Sequence, residues 1–74
     1  MGKPKALKDK LFAAAVVKMT FRLRGDEQSP VFKGVYPGVL RDLELDDAAV
    51  EKYIAEHKEE VERAARGAIG PKPG

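Results

Sequence analysis

Few side chains in this chain could do covalent or acid–base chemistry. Ser29 is its sole serine, Thr20 its sole threonine and His57 its sole histidine, and cysteine is absent. A nucleophile needs a base within hydrogen-bond reach, and no spacing links Ser29, in a Gly/Pro-bounded turn, to a His on a distant helix. Asp42, Glu44, Asp46 and Asp47 form an acidic cluster of the kind that holds divalent cations. It departs from the EF-hand pattern, because no Gly marks the bend and Tyr53 stands where the closing Glu would be. An acidic helix start explains the cluster instead. There is no Gly-rich phosphate loop, and one His without Cys cannot build a structural zinc site within one chain. The expectation is a non-enzymatic protein with no catalytic residue, no cofactor and no metal.

His57 falls within the apolar stripe Val50, Ile54, His57, Val61, Ala64 and Ala68, spaced four, three, four, three and four. A half-buried ring at the edge of a core is the ordinary reading of such a His. Val50, Ile54, His57 and Val61 together are the candidate interface for a second copy, where His57 protonation would loosen assembly.

The cations carry a second hypothesis. Lys18, Thr20, Arg22 and Arg24 occupy alternate positions, so on a strand they share one face, with Lys33 joining from a paired strand. That face is a candidate surface for a partner or for nucleic acid, since a β-ribbon can enter the major groove. Hairpin register decides what lies beside it. Pairing Gly25 with Pro30 puts Phe32 and Tyr36 in the core. Pairing Arg24 with Pro30 puts both rings outside among cations, as a stacking platform for single strands. The first register is favoured, because the second buries Lys33.

The elements that must position these groups follow from periodicity. Leu11 to Arg24 has every odd position apolar, the signature of a strand with one buried face. Gly25 to Pro30 reads as a turn, Val31 to Tyr36 as the second strand, and Pro37-Gly38 as a type II turn. Val39 to Leu45 offers a third short strand. From Asp47 to Arg66 the spacing predicts one long helix, with Asp46 as N-cap, Leu45 and Val50 as a hydrophobic staple, and Gly67 after its end. The expected fold is α+β: an antiparallel β-hairpin or meander of two or three strands packed against one C-terminal amphipathic helix, with a short N-terminal helix optional. Residues 1–10 form a basic arm or that helix, 11–67 the single domain, and 68–74 a flexible Gly/Pro tail.

At 74 residues the chain sits near the lower limit for folding alone, which favours oligomerisation as an added stabiliser. The apolar run from Leu11 to Val17 is too short to cross a bilayer, so a cytoplasmic protein with no membrane contact is expected. The net charge of +2 conceals a segregation. Met1 to Arg24 holds seven basic residues against one acidic, and Gly25 to Glu62 four against eleven. Segregated charge, a small core and the lack of catalytic groups point to a regulatory or adaptor protein that self-associates as a homodimer and binds a protein partner. The alternative is a DNA- or RNA-binding protein using the basic strand face and the N-terminal arm.

Overall fold

The computed structural model describes residues 6–69, and within them the chain is entirely helical, with no strand. Four helices follow in order: α1 (Leu7–Leu23), α2 (Pro30–Leu43), α3 (Asp47–Glu56) and α4 (Lys58–Ile69). This overturns the expected α+β class, its β-hairpin and the question of hairpin register. Residues 1–5 of the expected N-terminal arm and 70–74 of the expected tail lie outside the described residues.

The expected first strand is the body of α1. Its buried residues are Ala14, Ala15, Lys18 and Met19, two i,i+4 pairs that fall on one helical face. The helix is central: α4 is its most extensive neighbour, followed by α3 and α2. Leu11, Phe12, Val16, Phe21 and Leu23 pack round its remaining sides. A helix covered on several sides is apolar over much of its circumference, and here that breadth coincides with an alternation of period two. Ala, Leu, Met, Lys and Arg are also strong helix formers.

The expected second strand and type II turn are both inside α2. Ser29 caps it, its hydroxyl accepting the Phe32 N–H at 3.2 Å, and Pro30 occupies the first position. That pair is a helix start, because Pro has no N–H to waste there and a preset φ. Phe32 and Tyr36 are buried one turn apart, while Pro37 and Gly38 continue the helix against their own preference.

Asp46 caps α3 as expected, accepting the Ala49 N–H at 3.0 Å. The single helix expected from Asp47 to Arg66 is instead two, broken at His57, which has φ −128° and ψ 38°. Neither Gly nor Pro marks the break, so packing imposes it: α3 and α4 each lie on α1. The break shifts the apolar stripe. Val50, Tyr53, Ile54, Val61 and Ala65 are buried, whereas Ala64 is half-buried and Ala68 exposed.

Candidate functional site

Two features of the surface and its margins bear on function: a knot of charged side chains joining α1, α2 and α3, and the outer face of α2.

The knot begins with Lys18. Its side chain is only 8% exposed, and its ammonium donates to Asp47 Oδ1 at 2.7 Å and pairs with Glu51. The Tyr36 hydroxyl donates to the same Asp47 oxygen at 2.6 Å, and Lys18 Nζ stands 5.2 Å from the centre of the Tyr36 ring. One turn further along α1, Arg22 makes two hydrogen bonds to the Glu27 carboxylate, at 3.1 and 2.9 Å, and another to Glu51 at 3.0 Å. Two cations one turn apart on α1 thus face two acids one turn apart on α3.

Burial alone would lower the Lys18 pKa; hydrogen bonds to Asp47 and Glu51, and their charges, outweigh it and hold the ammonium above its ordinary value. Hydrogen bonds from Lys18, then from Tyr36, hold Asp47 below its ordinary value. The hydrogen bond from Arg22 does the same for Glu27. Burial, then the bond to Asp47, pushes Tyr36 well above the usual phenol range. Lys18, Asp47, Glu27 and Tyr36 are therefore held in their resting protonation states. A general base, a neutral amine nucleophile or a phenolate would require the opposite shifts. Among the described residues no buried side-chain polar atom lacks a partner. The knot ties α1, α2 and α3 together.

The residues expected to form a basic strand face are dispersed. Lys18 and Arg22 are engaged in the knot, the Thr20 hydroxyl donates to the Val16 carbonyl at 2.7 Å, and Arg24 lies 3.7 Å from Asp26. Lys33 is exposed on a different helix. Phe32 and Tyr36 are buried, stacked at 4.9 Å, with the Phe21 ring 5.1 Å from Phe32. Of the expected interface, Val50, Ile54 and Val61 are buried inside this one chain, and His57 is half-exposed at the helix break. Its ring lies 4.3 Å from that of Tyr53, and its Nδ1 is 3.6 Å from Glu60. Of the acidic cluster, Asp46 is a cap, Asp47 belongs to the knot, and Asp42 and Glu44 are exposed. No three potential metal ligands gather among the described residues.

Tyr36, Asp47, Glu51 and Glu27 are the members that sequence reasoning missed as a site. A helical reading would have found two of them, Asp47 and Glu51, whose i,i+4 spacing matches that of Lys18 and Arg22 with opposite charge.

The second feature lies on the opposite side of α2. Val31 and Val35 are 62% and 44% exposed, and with Leu7 they are the large apolar side chains left exposed among the described residues. Gly34 and Gly38 run beside them, one turn apart, and a Cβ added at either would meet nothing. Asp42, three turns on from Val31, completes that side, with Lys33 and Arg41 exposed beyond its edges. Among the described residues no helix is long and apolar enough to cross a membrane. Comparison with protein-family models, curated proteins and solved structures finds no match for this chain.

Proposed function

We propose that this chain is a small self-associating adaptor that works through protein–protein contact, and that the outer face of α2 is where two copies meet. The carrying observation is the strip of exposed Val31, Gly34 and Val35 with half-buried Gly38, on a helix whose inner face is already covered. The strip is self-complementary in antiparallel order. A two-fold axis beside Tyr36 sets Gly34 against the partner's Gly38, where the lack of side chains permits close backbone approach. The same axis brings Asp42 to the first turn of the partner's α2, the positive end of that helix. The contact is small, so association is weak, with a dissociation constant in the roughly micromolar to millimolar range.

The nucleic-acid reading draws no comparable support, because Lys18 and Arg22 already face Asp47, Glu51 and Glu27. Sedimentation equilibrium over a hundredfold concentration range tests the proposal. A concentration-dependent rise in mass toward twice 8.1 kDa is expected for the native chain. Val35→Glu should remain monomeric with an unchanged circular dichroism spectrum. A native chain that stays monomeric throughout, or a dimer indifferent to Val35→Glu, overturns the assignment to α2.

A further inference from the structure

We infer that α2 is a latch: it opens from α1 as a separate cooperative unit while α1, α3 and α4 stay folded. This goes beyond self-association and concerns the isolated chain.

The first ground is local preference. Of the fourteen residues of α2, Gly34, Pro37 and Gly38 are the poorest helix formers, and Val31, Phe32, Val35, Tyr36 and Val39 are β-branched or aromatic. Pro37 has no N–H, so the Lys33 carbonyl loses its i+4 partner in mid-helix. Left to itself, this segment prefers an extended run ending in a Pro-Gly turn. Its helical form is a product of what it docks against.

The second ground is how it docks. Its main neighbour is α1, which touches α2 less extensively than it touches α3 or α4. Only two of its side chains are buried, Phe32 against Phe21, and Tyr36 over Lys18 with its hydroxyl on Asp47, while Val39, Leu40 and Leu43 pack half-buried against the core. Both flanking connections have left-handed residues, Gly25 at φ 75° and Glu44 at φ 59°, so the ends of α2 are already turns and need no helix to be broken across them. Segments with weak internal preference and few anchors are the ones that open below the global unfolding free energy. Opening uncovers the Phe21 ring and the Lys18 stem, an apolar slot on α1 flanked by Asp47 and Glu51.

Native-state hydrogen exchange on dilute protein tests this. Amides of α2 should exchange at least tenfold faster than the slowest amides of α1 and α4, in an opening with little denaturant dependence. Tyr36→Phe removes the hydrogen bond to Asp47 while keeping the ring, and should speed α2 exchange about tenfold while leaving α4 unchanged. Gly34→Ala, which has room for its methyl, should slow α2 exchange by about fourfold to fivefold without moving α4. The inference is overturned if α2 exchanges as slowly as α1 and α4, or if both variants shift all four helices together.

Discussion

The seam between α1 and α4 and the docking of α2 on α1 bury apolar surface by opposite means. On α1 and α4 the fully buried residues are small: Ala14 and Ala15 on the first, Val61 and Ala65 on the second, each at 0% exposure. Small side chains let helices lie close, and Ala is the best helix former, so local preference and packing agree. On α2 the buried residues are the rings Phe32 and Tyr36, carried by a helix that Gly34, Pro37 and Gly38 disfavour by about 5 kcal/mol relative to Ala. There, tertiary contact holds local structure that would not otherwise form. Stability of this small domain therefore comes from consistency on one side and from a few anchors on the other.

The largest effect is expected where the packing is closest. Ala15→Leu adds three carbons at a site with no exposure, and should cost about 3 kcal/mol, lowering the melting midpoint by roughly 10–20 °C. On the outside of α2, Val31→Ala should change stability by no more than about 0.5 kcal/mol. Thermal denaturation followed by circular dichroism measures both. An Ala15→Leu protein that melts with the native chain would mean the seam has slack, and the contrast with α2 would fail.

Acid should act on the knot rather than on the seam, which has no charge in its core. Asp47 and Glu27 have folded pKa values below their ordinary ones. A depressed carboxylate lends stability that is fully present above its unfolded value, near 4, and is lost as pH falls through the folded value. Lys18 and Tyr36 are raised, so their contribution is complete below their ordinary values of 10.5 and 10.0 and is lost as pH climbs beyond them. Unfolding free energy should thus be level from about pH 5 to pH 9 and fall on either side. Asp47 is 53% exposed on its side chain, so water and salt screen the pair, and the acid loss is about 1 kcal/mol. Denaturant titrations at pH 6 and pH 2.5 measure it. An acid limb unchanged by Lys18→Met would remove Asp47 from the account.

What could be read from residue order alone follows the same division. The start of α3 was legible because the cap, the acidic first turn and the periodicity of Val50 and Ile54 are all local signals. The break at His57 was not, since no local breaker marks it and the two halves separate to pack on α1. In α1 the obstacle was Lys18. Taken as a surface residue it enforces alternation with its apolar neighbours, whereas it is buried and its charge is answered by α3, twenty-nine residues away in sequence. In α2 the β-branched and aromatic run and Pro37-Gly38 report a true local preference, which docking overrides. The charge knot escaped for the same reason as the fold, because its spacing is visible only at a period of 3.6.

The smallest expected effect concerns how α1 and α2 end. Both stop in the same way, with a left-handed residue followed by an N–H that reaches back five residues: Asp26 to the Phe21 carbonyl at 2.8 Å, and Leu45 to the Leu40 carbonyl at 2.9 Å. At α1 the left-handed residue is Gly25, for which φ 75° has no steric cost; at α2 it is Glu44, at φ 59°. An L side chain in that region costs about 1 kcal/mol, partly offset by the greater freedom glycine has in the unfolded chain. Glu44 is exposed and forms no ion pair among the described residues, so its replacement removes no contact that would mask the backbone effect. Glu44→Gly should therefore stabilise the protein by about 0.5 kcal/mol, with the gain confined to α2 in hydrogen exchange. Gly25→Ala, the mirror change on α1, should destabilise by about 1 kcal/mol. If both variants shifted stability in the same direction, the two helix ends would not share the geometry that makes one of them costly.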